Sequence, residues 1–266
     1  MEQISRDLRK DILFLSHKCG DGNLQSAFSC IDTLWALYDR VMNWSKENAT
    51  DDNRDICIIS KGQATLALYP ILIRKGLFSL DEVAEQMGQF SSRYSIQTDV
   101  TKFSGGIENN AGSLGHGLPF AVGIAMANKI KGLDSRVFVL CGDGEFTEGT
   151  MWESCLLAAT HKLDNLCVII DDNASVGAMI DMGNMAKKLL AFDFATCEVN
   201  GHDLSAVTAA LKNHHPEQPM AVIAHTVRGY GSKTMTQHDI WFHKAPNAEE
   251  LAVLQKEVDE FCDEHF

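Results

Sequence analysis

The chain predicts an α/β fold: a doubly wound, mostly parallel sheet flanked by helices. Three observations carry that reading. Short β-rich runs recur at 56–59, 136–140, 166–170, 194–199 and 220–225. Stretches with helical spacing separate them, as at 119–131 and 150–161, and strands alternating with helices imply parallel crossover units. At 266 residues and 45% hydrophobic, the chain is also long enough to bury such a sheet.

Taken in order, residues 5–18 and 29–42 open the chain with helical periodicity. In the second, Ile31, Leu34, Trp35, Leu37, Tyr38 and Val41 predict one apolar face. The run at 56–59 is apolar and short. Helix 119–131 precedes the strand Arg-Val-Phe-Val-Leu at 136–140, and helix 150–161 precedes the strand at 166–170. Two further strands follow, and residues 248–264 predict a closing acidic helix. No repeat or low-complexity segment interrupts this order. The five prolines do not gather into a linker. One domain over 1–266 is expected.

A formal net charge of -13 leaves no basic excess to neutralise phosphates, which argues against nucleic acid and anionic membrane as partners. Charged residues at 22% and aromatics at 8% are ordinary for a soluble globular protein. The start, MEQISRDLRKDILFLS, lacks the apolar stretch of a signal sequence, and no run approaches the roughly 20 apolar residues of a membrane span. The eight cysteines (19, 30, 57, 141, 155, 167, 197 and 262) form no CxxC pair and mostly sit in apolar runs, as reduced core thiols do. A cytoplasmic location is expected.

In a parallel sheet, ligands bind beyond the carboxyl ends of the strands. After strand 136–140 comes Cys141-Gly142-Asp143-Gly144-Glu145, and after strand 166–170 comes Asp171-Asp172-Asn173. If those strands are neighbours, Asp143 and Asn173 stand side by side. A hard divalent cation wants oxygen ligands: here a carboxylate, an amide oxygen and a backbone carbonyl, that of Ser175. Diphosphate oxygens and water would complete the octahedron. The flanking glycines, Gly142 and Gly144, let backbone approach phosphate closely. A lone Gly-Asp-Gly is usually a surface turn. With Asn173 placed 30 positions beyond Asp143, at another strand end, the pattern is far more specific.

That arrangement resembles the metal-binding signature of thiamine-diphosphate enzymes, and further segments resemble transketolases. Gly112-Ser-Leu-Gly-His-Gly117 is similar to the family's Gly-Ser-Leu-Gly-Gln-Gly. Ser60-Lys-Gly-Gln-Ala64 is similar to Ser-Lys-Gly-His-Ala, and Trp241-Phe-His-Lys-Ala-Pro-Asn247 to Trp-His-Gly-Lys-Ala-Pro-Asn. Glu145 to Glu153 matches the stretch that follows Gly-Asp-Gly in the family. These motifs keep the family order over residues 16–247.

The resemblance implies thiamine diphosphate as cofactor and magnesium, calcium or manganese as the metal, held by Asp143, Asn173 and Ser175. It implies cofactor contacts from Gly112, Ser113, Leu114, Gly115, Gly142, Gly144, Glu145 and His243. Leu114 would pack near the thiazolium. Glu148 would join a proton network between paired active sites, a helix-capping acid being its plainer reading. His116 either faces the diphosphate or is an ordinary histidine.

Transketolases carry a second cofactor domain, which grips the aminopyrimidine and supplies the activating glutamate. The chain ends soon after the first, so the resemblance to split transketolases implies a partner, the C-terminal transketolase subunit, in a dimer of heterodimers.

Four histidines usual in the family are replaced. Asn23 stands for that of Gly-His-Pro-Gly, Gln63 for that of Ser-Lys-Gly-His, Gln97 for that of a later Gly-His-Pro across a one-residue gap, and Phe242 for that of Trp-His-Gly, with His243 beside it. Asn and Gln still hydrogen-bond but do not titrate near neutrality; Phe does neither. A different donor or acceptor sugar, histidines supplied from elsewhere (His17, His116, His243) and a degenerate site are the competing explanations. The intact metal motif favours the first two. Asn23, Gln63, His116 and Glu148 are therefore the candidate catalytic positions. His202 in Asn200-Gly-His-Asp203 reads as structural, as does Lys244, and His214-His215 as a surface pair.

The expected activity is transfer of a two-carbon ketol unit from a ketose or ketose phosphate to an aldose. The alternatives are the α-subunit of a 2-oxoacid dehydrogenase, against which Ser60–Ala64 and Trp241–Asn247 speak, and a non-catalytic cofactor-binding homologue.

Overall fold

A computed structural model describes residues 1–177, 179–237 and 240–261. Two helices open the chain, α1 (Gln3–Cys19) and α2 (Leu24–Arg40). β1 (Ile56–Ile59) leads to α3 (Thr65–Arg74), α4 (Leu80–Gln86) and α5 (Gly117–Lys131). β2 (Val137–Gly142) is followed by α6 (Gly149–Thr160), β3 (Leu166–Asp172) by α7 (Met185–Ala191), and β4 (Ala195–Asn200) by α8 (Leu204–Lys212). β5 (Met220–His225), a short α9 (Lys233–Gln237) and α10 (Ala248–Glu260) complete the order. The last positions of the expected 248–264 helix, and Cys262, lie outside the described residues. The other seven cysteines are free. Among the described residues, no helix is long and apolar enough to cross a membrane.

All five strands run parallel, in the order β1-β2-β3-β5-β4. Side chains alternate between faces as a pleat requires. Val137, Val139 and Cys141 enter one core with Leu166, Val168 and Ile170, while Phe138, Leu140, Cys167 and Ile169 enter the other. The first core is closed by α5, α6 and α7, the second by α1, α2, α3, α8 and α10. Right-handed crossovers account for α5, α6 and α7 on one face and α8 on the other. From β1 to β4 the chain advances across the sheet, and the return from β4 to β5 throws α8 onto the opposite face.

The expectation of a single apolar face on the second helix is corrected. α2 begins at Leu24 rather than near 29, and every residue from Leu24 to Tyr38 is buried. Buried polar side chains such as Gln25, Ser29, Asp32 and Thr33 tolerate burial because each has a partner. Asp32 accepts two hydrogen bonds from the Arg9 guanidinium, at 3.0 and 2.6 Å, and Ser29 donates to Asp171 at 2.7 Å.

Two features position the cleft described below. The long segment between α4 and α5 is held by aromatic packing: the rings of Phe78, Tyr94 and Phe103 meet at 5.1–5.8 Å, and Arg93 lies 4.7 Å from the Phe103 centroid. At the sheet edge, the Asn109 amide accepts from Ile59 N–H and donates to Ile59 C=O, both at 3.0 Å, in place of a further strand.

Candidate functional site

β2 and β3 end side by side, with Gly142 opposite Asp171 in the register. Asp143 is the next residue after β2. Its carboxylate accepts from Gly144 N–H at 2.9 Å, from the Ser175 hydroxyl at 2.7 Å and from Val176 N–H at 3.3 Å. Asn173 follows β3, and its Oδ1 accepts from Ser175 N–H at 3.0 Å. The other end of that amide donates to Asp171 at 3.0 Å and to Ser29 at 3.3 Å. Asp171 thereby fixes which way the amide faces: nitrogen toward itself, oxygen toward the loop that carries Ser175. Ala174 turns that loop at φ 58°, a conformation non-glycine residues seldom adopt.

Asp143, Asn173 and Ser175 are thus brought together, as the strand-end reading expected. Their donor chemistry is one carboxylate, an amide oxygen and nearby backbone, all hard oxygen, which suits magnesium or calcium. Among the described residues, no three His, Cys, Asp or Glu side chains gather into a metal cage. A cation here would therefore draw further oxygens from a ligand, and a diphosphate provides them.

Cations and carboxylates are mixed at the strand ends. Lys61, just beyond β1, is buried and ion-paired with Asp171, and its ammonium lies 3.3 Å from both the Ser26 carbonyl and the Ser29 hydroxyl. Burial is the largest influence and works against that ammonium, but Asp171, Cys30 and Asp143 together outweigh it, and the Lys61 pKa is raised. Lys61 and Arg228 line a cleft of about 580 Å³ together with Gln63, Leu114, Gly142, Asp143, Gly144, Glu145 and Ser175. Leu114, Met179, Ile180 and Phe242 give it an apolar rim. Sequence reasoning assigned no role to Lys61, Asp171 or Arg228. The available signal was a lysine following an apolar strand, since a buried lysine needs a counter-charge.

Several expected cofactor contacts are placed otherwise. Both Glu145 oxygens are engaged by the chain itself: Oε1 by Ser60 and Gly115 N–H, Oε2 by Gly142 N–H. Burial raises the Glu145 pKa, although these donors pull the other way. Gly115 has φ 82°, and a Cβ there would fall 2.8 Å from that of Glu148. Glu148 occupies the N-cap position of α6 without accepting a capping hydrogen bond, which leaves the capping reading unsupported. Gly112, Ser113 and His116 are exposed on the segment leading into α5 and do not line the cleft. Gln97 does not line it either and lies against Gly62 and Gly112, where an added Cβ would meet its side-chain amide at 3.6 and 3.7 Å.

Asn23 and His243 meet each other instead of the cleft. Asn23 is buried and its Oδ1 accepts from His243 N–H at 3.1 Å, while the His243 ring lies 3.5 Å from Asp21. His17 is held by the Pro246 carbonyl at 2.8 Å. Lys244 pairs with Glu250 at 2.7 Å, and His202 bridges Asp32 and Val227 N–H, so both serve structure. His214 and His215 are exposed. Behind the 173–184 loop lies a smaller cavity of about 280 Å³, where His225 contacts Asp172 at 2.8 Å and Glu198 at 3.0 Å.

Residues 5–260 match the family model described as transketolase, thiamine diphosphate binding domain. The chain is 33% identical over 267 residues to an apulose-4-phosphate transketolase subunit of Phocaeicola vulgatus, covering 98% of this chain and 94% of that one. It is 28% identical to a 6-deoxy-6-sulfo-D-fructose transketolase subunit of a Clostridium species, covering 94% of each. Among solved structures, transketolase from Campylobacter jejuni superposes with a TM-score of 0.84 at 27% identity. That likeness covers 97% of this chain but only 43% of the transketolase, so the chain spans less than half of that single-chain relative.

Proposed function

The chain belongs to the transketolase family through its thiamine-diphosphate-binding domain, and from that premise we propose that it is the diphosphate-binding subunit of a two-component transketolase. The observation that carries this is the convergence of Asp143, Asn173 and Ser175 at two neighbouring strand ends, beside a cleft with Lys61 and Arg228. Asp143 and Asn173, with backbone at Ser175, would hold a divalent cation and through it the diphosphate. When bound, thiamine diphosphate supplies the electron sink that ketol transfer needs.

The chain's own residues do the rest of what falls to this half. Gly142 and Gly144 permit close backbone approach, and Arg228 balances phosphate charge, while the ammonium of Lys61 is already paired with Asp171. Leu114 and the apolar rim exclude water from one side. Gln63 faces the cleft as a hydrogen-bonding group that exchanges no proton near neutral pH. Glu148, its carboxylate unused by α6, is available for proton handling with a neighbouring protomer. His116 would act only if assembly turned that segment toward substrate.

A partner polypeptide with the pyrimidine-binding part would complete the site. Support comes from relatives of matching length whose names make them subunits of a transketolase rather than whole enzymes. By those names the relatives act on apulose 4-phosphate and a sulfonated sugar, which supports an unusual ketose for this chain too. A dimer of heterodimers, located in the cytoplasm, fits this reading. A non-catalytic cofactor-binding role is the second reading, favoured by Phe242 at the cleft rim. Co-expression with the protein of the adjacent reading frame tests both, by calorimetry with thiamine diphosphate and magnesium and by ketol transfer from a panel of ketoses. Binding with turnover is expected. Binding without turnover on any ketose supports the second reading, and absence of binding overturns both.

A further inference from the structure

Three of the segments at the cleft come from different parts of the chain: residues 60–63 beyond β1, the 112–117 segment that carries Leu114, and the Gly142-Asp143-Gly144 turn after β2. No backbone hydrogen bond joins 112–117 to 142–144 among the described residues. One side chain does. The Glu145 carboxylate, 1% exposed, accepts from the Ser60 hydroxyl at 2.5 Å, from Gly115 N–H at 2.8 Å and from Gly142 N–H at 2.8 Å. Ser60 extends the set, since its Oγ accepts from Gly117 N–H at 3.1 Å.

We propose that Glu145 is the positioning residue of the cofactor cradle: it fixes the distance between the Leu114 side of the cleft and the Asp143 turn. This rests on the function proposed above. Only a carboxylate serves, because every group pointing at it is a donor. The two amides it holds belong to the residue after Leu114 and the residue before Asp143. Movement at Glu145 therefore displaces both the apolar contact and the metal ligand. Packing leaves these segments no alternative course, since a Cβ on Gly117 would overlap Ser60 and one on Gly115 would overlap Glu148. A ligand grips tightly when the groups that meet it are held by a second set of hydrogen bonds, and losing such support typically costs about 10–100-fold in metal affinity.

Glu145→Gln separates this role from simple support of the fold. With its amide oxygen kept toward Ser60 and Gly115, its NH2 would face Gly142 N–H, donor against donor, releasing the turn that carries Asp143. The variant is compared with Leu13→Ala, a core truncation in α1 that lowers the melting temperature without touching the cleft, each assembled with the partner. The expected result is a dissociation constant for thiamine diphosphate with magnesium raised about 10-fold or more in Glu145→Gln and less than about 3-fold in Leu13→Ala. Hydrogen exchange at the Gly142 amide, measured without cofactor, should also accelerate only in Glu145→Gln. Ser60→Ala, which keeps the carboxylate and frees Gly117 N–H, should weaken cofactor binding by a smaller factor, about 3-fold. Unchanged affinity in both cleft variants, or a loss in Glu145→Gln no larger than in Leu13→Ala, overturns the proposal. Failure of the wild-type complex to bind cofactor removes the functional premise and the proposal with it.

Discussion

The floor and the rim of the cleft are built in opposite ways. On the floor, Asp143, Asn173, Asp171 and Lys61 are buried, and each makes at least two polar contacts, at least one of them with another segment. At the rim, Leu114, Met179, Ile180 and Phe242 are between 36% and 80% exposed, and their apolar surfaces are open to whatever docks there. Interlocking makes the floor intolerant, because removing one member strands the others. The rim has no such dependence. Two of the positions at which the chain departs from transketolases, Gln63 and Phe242, line this cleft. A lineage can thus keep its grip on a cofactor while changing what it does with the open side.

The sharpest way to break this contrast is at Asp143. Asp143→Ala removes the carboxylate and should lower cofactor affinity of the assembled enzyme by more than about 100-fold, beyond the loss given by outer-shell changes. Calorimetry with thiamine diphosphate and magnesium checks it, and a loss below about 10-fold would equate floor with rim. Lys61→Met comes next. It leaves Asp171 buried with its counter-charge gone, which costs about 3–5 kcal/mol and about 10 °C in melting temperature, read by thermal unfolding of the chain without cofactor.

Gln63→His probes the rim. Cofactor affinity should stay within about 3-fold, while kcat/KM on an ordinary ketose phosphate rises about 10-fold, since an imidazole exchanges protons near neutrality. A large change in cofactor affinity would show that the rim is tied to the floor after all.

The smallest effect lies away from the cleft, at His202. Burial lowers its pKa below the ordinary 6.5, against the pull of Asp32. The unfolded chain then binds this proton more readily than the folded one, so the stability is complete above about pH 6.5 and declines as pH falls through that value toward the folded pKa. Asp32 adds a second loss at lower pH. Burial would raise its pKa, but Arg9 and His202 overcome that and hold it below 3.8, so its contribution goes as pH falls below about 4. Urea midpoints taken between about pH 7 and 5 should fall for the wild type and flatten in His202→Gln.

Much of the fold was legible because parallel strands buried on both faces read as short apolar runs. The runs at 56–59 and 220–225 coincide with β1 and β5, and the other three err by one or two residues at one end or both. β3 extends further than its apolar run because the polar residues at its end, Asp171 and Asp172, still pair with β5. The convergence of Asp143 with Asn173 was legible too, from glycine spacing and strand placement alone. What stayed hidden depended on pairs far apart in sequence. Asp171 looked like a neighbour of Asn173, but its partners include Lys61, Ser29 and Thr226. Glu145 looked like a ligand, but its oxygens face Ser60, Gly115 and Gly142. The burial of α2 was misread for the same reason: Asp32 is polar in one dimension and satisfied in three.

Asn109 carries one more consequence. By occupying both backbone groups of Ile59, it seals the border of the sheet at the end nearest the cleft. A companion molecule cannot pair with those two groups by adding a ribbon there, so contact at that end of the β1 edge falls to side chains and helix surfaces. Asn109→Ala would unseal that border, and its first symptom should be unwanted self-association of the isolated chain rather than lost catalysis, visible by light scattering.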